Sequence, residues 1–397
     1  MADEDLLGRY SPYLRYDSLE SFRSDSAAIM PEHSFDDGSK WSYANALKRK
    51  GGSVIASARP KKGEKQLDLA FLGKRYASGH VARETDFLDA AGRRYVEDAR
   101  RLHADARYAD RAYGHVVKES GGVTWLQYWF FSYYNDKNFF GIGLHEGDWE
   151  MIQLRLGDDG EPDVATFAQH RDGEAFNWED LDLRASPNGD VPVVYVGRGS
   201  HASFARRGEH WTMPPLPPDY SDGKGPLVRP ALEVLSEDSP KWLLWPGKWG
   251  SSDSSPTGPS QKGQWRNPTA FHVECGGAAR GRVRKRPRAV PRAPAPAPPT
   301  PELSFERIED QIVVKYEFPQ RLRSGAARPE RIVVSVDTAD DDLPPASHAF
   351  TVRTRSGVFV HPVRLDESTR YVARTVAYSE DGVQSKHVET ALSPTAG

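Results

Sequence analysis

The sequence has a single cysteine, Cys275, among 397 residues, so no disulfide can form within the chain. That suits a reducing compartment without requiring one. Long apolar runs are also missing, and no stretch approaches the ~20 residues that span a bilayer. The opening MADEDLLGRYSPYL is acidic and lacks the apolar core of a secretory signal. The default expectation is a cytoplasmic chain, with export by a route that reads no N-terminal signal left open. The formal charge of −3 is close to balance, so no global field points to nucleic acid or membrane, and nucleic acid is not an expected partner. There is no phosphate-cradling loop, dinucleotide fingerprint or internal repeat. His145-Glu146-Gly147-Asp148-Trp149 departs from H-E-x-x-H at its fifth position, which excludes the zinc-protease motif. Gly197-Arg198-Gly199-Ser200-His201 is not a G-x-S-x-G elbow. Nothing in the chain speaks to oligomeric state.

What is present divides the chain into three. Residues 276–301 are basic and then alternate Ala with Pro, which predicts an extended, semi-rigid linker. Residues 302–397 carry short β-rich runs at 311–318, 330–338, 349–355, 356–364 and 369–379, separated by turn residues. Such spacing predicts a small β-sandwich. The segment 370–389, with Tyr371 alternating with Ala373 and a turn at Gly382, resembles the last hairpin of a fibronectin type III domain.

Residues 1–275 read as a larger, mainly β domain. The stretch 9–22 is expected to enter the sheet as a strand. One amphipathic helix is predicted from Leu88, Ala91, Tyr95, Ala99, Leu102, Ala106, Ala109 and Tyr113, which recur at three- and four-residue steps, with Thr85 as its N-cap. WLQYWFFSYYN (125–135) is apolar on both alternating faces, as a strand covered on both sides should be. DWEMIQLRLG (148–157) and VPVVYVGRGSH (191–201) are further strands. Between Met213 and Pro268 the chain is rich in Pro, Gly and Ser, and Trp242, Trp245, Trp249 and Trp265 are expected to pin it to the sandwich.

The chemistry concentrates in HEGDWE, His145 to Glu150. Strand alternation puts Asp148 and Glu150 on one side, continued by apolar Ile152, Leu154 and Leu156, with Trp149 on the other side in the core. Two acids held so close at a half-buried rim raise each other's pKa unless a positive charge joins them. A divalent cation supplies it most simply: oxygen ligands suit Mg²⁺, Ca²⁺ or Mn²⁺, and a nearby imidazole admits Zn²⁺. A hairpin between 125–135 and 148–157 would bring Asp136 near Asp148. His170 and His201 follow other strands. Two alternatives stay open: Arg198 paired with Asp148 or Glu150 in a network locking the rim, and acid/base carboxylates.

HEGDWE (145–150), AQH (168–170), YVGRGSHASF (195–204) and Gly247-Lys248-Trp249-Gly250, in that order, resemble the vacuolar protein sorting-associated protein 62 family over about residues 10–275. More distantly, Leu144 to Glu150 resembles the GHRHDWE heptapeptide of the necrosis- and ethylene-inducing peptide-like cytolysins, with His145, Asp148, Trp149 and Glu150 matching and Glu146 and Gly147 differing. That resemblance implies a cytolysin-like β-sandwich and a divalent cation at the motif, with Asp136 standing for an acid of the preceding strand. It also implies a sphingolipid head group as ligand and places His201 at a later essential histidine.

The sequence therefore predicts a mainly β protein: a large cytolysin- or jelly-roll-like sandwich with one inserted helix, then a fibronectin type III-like sandwich. Its expected work is divalent-metal-dependent recognition of an anionic lipid or glycan head group. Asp136, His145, Asp148 and Glu150 are the expected metal ligands. His170, Arg198 and His201 are expected to contact the head group or hold the ligands in place. A metal-assisted hydrolase and a non-catalytic scaffold with a salt-bridged rim are the rival readings.

Overall fold

The computed structural model describes residues 2–36, 38, 42–92, 94–137, 143–170, 172–212, 218–281, 298–308, 311–319, 328–338, 346–352, 354–361, 371–379, 385 and 388–392. In chain order, the strands that build the large region are β1 (Tyr13–Arg15), β2 (Arg111–Lys118), β3 (Thr124–Asn135), β4 (His145–Leu156), β5 (Pro162–Gln169), β6 (Asp172–Asn177), β7 (Leu183–Ser186), β8 (Gly189–Val196), β9 (Leu227–Val228) and β10 (Ala231–Leu235). The aromatic run 125–135 forms most of β3, and it lies between β2 and β4 in a six-stranded sheet ordered β6-β5-β4-β3-β2-β10. β3 and β4 are antiparallel, with Ser132 opposite Asp148 and Asn135 opposite His145. A smaller sheet runs β7-β8-β1-β9, with β1 parallel to β8 and the short strand Ser203–Phe204 also paired to β8.

Alternation along β3 and β4 sorts side chains into two cores. Leu126, Tyr128, Phe130, Ile152 and Leu154 meet Leu14, Val194 and Val196 of the smaller sheet. Trp129, Phe131, Trp149 and Met151 face the other way, into a cluster with Trp242, Trp245, Trp249 and Trp265. Those four Trp are buried and hold the Pro/Gly/Ser-rich segment down as expected: Trp242 stacks on Trp149, Trp249 meets Trp149, Trp242 and Trp245 edge-to-face, and Trp265 packs against Trp129. Each such ring removes about 150–250 Å² from water, worth about 4–6 kcal/mol of transfer free energy as an upper figure.

Two expectations are corrected. The predicted helix over 88–113 is confined to α-helix Tyr95–Ala104, whose Ala99 and Leu102 do pack inward. Leu88 instead lies in a strand, Phe87–Asp89, paired with Ala46–Lys48, and Tyr113 lies in β2. Thr85 sits in a turn. Strand pairing overrode the helical spacing at both ends. The stretch 9–22 contributes strand only at Tyr13–Arg15, since Asp3–Tyr10 is helical, with Asp3, Glu4 and Asp5 in its first turn and Arg9 in its last. That charge order complements the helix dipole.

Residues 302–392 form two further sheets. Glu302–Ile308, Gln311–Glu317 and Ser356–His361 make one; Ala346–Thr351, Pro329–Thr338, Tyr371–Ser379 and Val388–Leu392 make the other. Ile312, Val314 and Tyr316 of the first share a core with Ile332, Val334, Val336, Ala373 and Ala377 of the second. The strand expected at 349–355 begins earlier, at Ala346, and Glu302–Ile308 and Val388–Leu392 are additional. The turn at Gly382 and most of the basic linker lie outside the described residues.

Gly147 is the tightest backbone position on β4. Its φ is +62°, and an added Cβ would collide with the Trp249 carbonyl oxygen. Gly147→Ala is expected to cost about 3 kcal/mol or more, because strain and collision act together. A urea midpoint unchanged from wild type would contradict this.

Candidate functional site

Asp148 and Glu150 face the gap between the sheets, each 6% exposed. Asp148 Oδ2 accepts from Asn135 Nδ2 at 3.1 Å and from His201 Nδ1 at 3.0 Å. The other ring nitrogen of His201 lies 3.5 Å from Glu20 Oε1, an ion-pair distance rather than a good hydrogen bond. Glu20 also accepts from the backbone N–H of Phe22 and of Gly199, both at 2.7 Å. One imidazole thus stands between two buried carboxylates. Burial alone would lower its pKa, but the Glu20 charge and the contacts with Asp148 and Glu20 raise it to about 10. His201 is therefore an imidazolium at neutral pH. In return, Asp148 is held below the ordinary carboxylate value: burial opposes this, and the His201 hydrogen bond with the charges of His145, His201 and Lys262 outweighs it.

Asp136 stands just past the end of β3. Its N–H donates to the Gly199 carbonyl at 3.2 Å. Its carboxylate lies against Gly199, whose φ of +70° and close approach leave no room for a Cβ. Burial and the Glu20 charge push Asp136 up to about 7, against the pull of His201 and Arg198.

Glu150 is less provided for. It accepts no hydrogen bond from the described residues, and burial together with the Asp148 charge raises it to about 8. Its largest compensation is the charge of Lys262, whose Nζ donates to the Trp149 carbonyl at 2.5 Å and lies 5.8 Å from the Trp129 ring centroid. Burial lowers the Lys262 pKa, while the charges of Glu150 and Asp148 oppose that.

A second polar hub adjoins the first. Asp219 accepts from Lys137 Nζ at 2.6 Å, from His170 Nε2 at 3.0 Å, and from the hydroxyls of Ser200 and Thr212. Burial would raise Asp219, yet the His170 hydrogen bond and the Lys137 charge hold it far below the carboxylate range. His170 is raised by Asp219 and by Glu150 against the effect of its own burial. His170 and His201 both have left-handed backbones, at φ 59° and 54°. Non-glycine residues adopt this conformation at a cost, and where they do, the surroundings hold them there.

The remaining expected residues are placed differently. His145 is partly buried, and its Nδ1 donates to the Gly147 carbonyl at 2.8 Å, leaving Nε2 free to take a ligand. Arg198 Nη1 lies 3.9 Å from Asp17. The cations beside Asp148 and Glu150 are His201 and Lys262, so the guanidinium between those acids that a locked rim requires is replaced by other groups. Asn135, not Asp136, donates to Asp148. Glu146 accepts from the Tyr95 hydroxyl at 2.8 Å and the Ser251 N–H at 3.0 Å, tying the helix and the Trp-rich segment to the sheet. Sequence reading missed Glu20, Asn135, Asp219 and Lys262. Asn135 alone had a local signal, since the hairpin register sets it at the strand end beside Asp136.

Asp136, Asp148 and Glu150 bring three carboxylates to this rim, and His145 keeps one ring nitrogen to spare. No three of the expected ligands Asp136, His145, Asp148 and Glu150 have ligand atoms all within 4.8 Å of one another, so the rim does not present them as a closed set.

The described architecture is that of a β-sandwich with an acidic, histidine-bearing rim. Within it, residues 112–212 match the family described as vacuolar protein sorting-associated protein 62. Two Saccharomyces cerevisiae proteins are similar. Vacuolar protein sorting-associated protein 62 is 26% identical over 189 residues, which is 38% of this chain and 40% of that one. Putative vacuolar protein sorting-associated protein TDA6 is 28% identical over 203 residues, 40% of this chain and 43% of that one. The chain thus spans about two fifths of the length of these relatives. Among solved structures, a necrosis and ethylene inducing protein 2 from the causal agent of cocoa's witches' broom disease is 15% identical over 58% of this chain and 72% of its own, with a TM-score of 0.27. A structure described as a toxin fold as basis for microbial attack and plant defense is 10% identical over 69% and 91%, with a TM-score of 0.32. Segment 112–212, the part that matches this family, carries HEGDWE, His170 and His201, and Glu20, Asp219 and Lys262 reach the rim from outside it.

Stability should fall as pH rises. His201, raised from 6.5 to about 10, contributes fully below pH 6.5, and that contribution is lost as pH climbs through about 10. Glu150 and Asp136 ionise later folded than unfolded, so they also disfavour folding as pH rises above about 4. All three act in one direction. Urea titrations should show a loss of about 2 kcal/mol or more between pH 6 and 10, with a shallower loss above pH 8 in His201→Gln. Equal slopes in the two proteins would refute the paired imidazolium.

Proposed function

We propose that the rim at the start of β4 binds a divalent cation through Asp136, Asp148, Glu150 and His145, and that this ion recognises a polar lipid or glycan head group. The observation that supports it most is Glu150, a buried carboxylate beside Asp148 with no hydrogen-bond donor of its own among the described residues. A bound divalent ion would supply the positive charge that Lys262 provides only at a distance. His201 and Glu20 fix Asp148 in place, and His170, held by Asp219, closes one side. On this reading Arg198, paired with Asp17, supports the loop that carries His201. Mg²⁺, Ca²⁺ and Mn²⁺ suit the oxygen-rich set best, with Zn²⁺ next. Residues 1–275 act as the recognition unit, 276–301 as a tether and 302–397 as a fibronectin type III-like accessory module. The names of the yeast relatives point to vacuolar protein sorting as the setting.

Metal analysis of the purified protein beside Asp148→Asn tests this reading directly. Wild type should carry rim-bound metal that the variant lacks, and a chelator should abolish wild-type binding to vesicles bearing glycosylated sphingolipid heads. Equal metal content in the two proteins, or binding indifferent to chelator, would sink it. Added cation should also raise Tm more at pH 8 than at pH 5, because Glu150 and Asp136 are protonated at the lower pH. The same rise at both would argue against carboxylate ligands.

A further inference from the structure

The N-terminal segment, the end of the helix Tyr95–Ala104 and the start of β2 meet at a point that the rim does not use. Backbone bonds stitch them together: Asp25 N–H to the Phe131 carbonyl at 2.8 Å, Ser26 N–H to Tyr108 at 2.7 Å and Arg111 N–H to Ser24 at 3.0 Å. Inside this stitch Asp25, His103 and Asp110 each offer a ligand atom, and those atoms all lie within 4.8 Å of one another. Among the described residues this is the one group of His, Cys, Asp or Glu side chains so gathered.

Two of the three already touch. Asp25 Oδ1 accepts from His103 Nδ1 at 2.8 Å and from the Asp110 N–H at 3.0 Å. Asp110 Oδ1 is a different case: it is buried and has no hydrogen-bond partner among the described residues. Asp110 as a residue is only partly buried, but a carboxylate oxygen shielded from solvent and without a donor is rare in folded proteins. The side chains of Asp25 and His103 are 4% and 11% exposed, so the place is dry but not sealed.

We propose that Asp25, His103 and Asp110 form a second cation site, structural in role, that takes one ion of the Zn²⁺ or Mn²⁺ type with water completing its shell. One imidazole and two carboxylates suit those ions better than Mg²⁺ or Ca²⁺. Ligand atoms bound at about 2.0–2.2 Å to one tetrahedral ion lie about 3.4 Å apart, so small side-chain rotations close the set. Arg23 Nη1 lies 2.9 Å from His103 Nε2 and donates to it, so Nδ1 carries the ring proton before the ion arrives. On binding, Nδ1 gives its lone pair to the ion, the proton passes to Nε2, and the partly exposed Arg23 turns toward solvent. Arg23 therefore competes with the ion for the ring. Asp25 lies five residues after Glu20, so an ion here steadies the segment that carries Glu20 to His201.

The experiment uses the full chain carrying Asp148→Asn, which silences the rim, stripped with chelator and titrated with Zn²⁺. It should bind one ion with a rise in Tm. Adding Asp110→Asn, which removes a charge but no hydrogen bond to the carboxylate, should weaken that affinity at least tenfold while leaving the metal-free Tm unchanged. Adding Arg23→Met instead should tighten it. Absence of Zn²⁺ binding in the Asp148→Asn protein, or equal affinity with and without Asp110→Asn, would overturn the proposal. Failure of the rim reading would show separately, as a wild type that binds no more metal than Asp148→Asn.

Discussion

A single buried imidazolium, His201, holds the rim together. It joins Asp148 of β4 to Glu20 of the N-terminal segment, and Glu20 in turn receives the Gly199 N–H. Each of these charges is out of water, and each is tolerable only because the others are there. Removing one leaves its partners buried and unpaired, which costs more than the pair contributes. The same contacts bring Asp136 against Gly199 and set the loop after β8. The two sheets thus meet at this end through charge, where further along Ile152 and Leu154 meet Val194 and Val196 through apolar contact.

The letters of HEGDWE divide their labour. Trp149 belongs to the aromatic core, and Gly147 exists to let the Trp249 backbone approach. Glu146 secures Tyr95 and Ser251. Asp148 and Glu150 face the gap between the sheets, and His145 retains a ring nitrogen for a ligand. Acids three positions apart or fewer need not share a role. The protein's own cations, His201 and Lys262, answer part of their mutual repulsion. They do so unequally, and Glu150 keeps the larger residue of unmet charge.

The sheet architecture was legible because alternation is a local property. The two-sided apolarity of 125–135, the side shared by Asp148 and Glu150, the inward Trp149 and the β-rich C-terminal runs could all be read from spacing. The helix was overextended because Leu88 and Tyr113 fit its period as well as they fit strands, and only their pairing partners decide between the two. The site was half legible. His170, His201 and Asp136 followed strand ends in the sequence, but Glu20, Asp219 and Lys262 arrive from segments with no local pattern of their own. Which cation would neighbour which acid depends on how loops cross the rim, and that is set by long-range packing.

The parallel pairing of β1 with β8 has a consequence for the order in which the molecule can be completed. β1 leaves the ribosome some 180 residues before its partner, and Lys262 follows later still. Glu20 must wait through that interval beside no permanent neighbour. Contacts this distant in sequence close slowly. The binding edge therefore matures after the aromatic interior of β2 to β4 has had its chance to form, and a chain interrupted before residue 201 carries the motif's letters without their electrostatic setting.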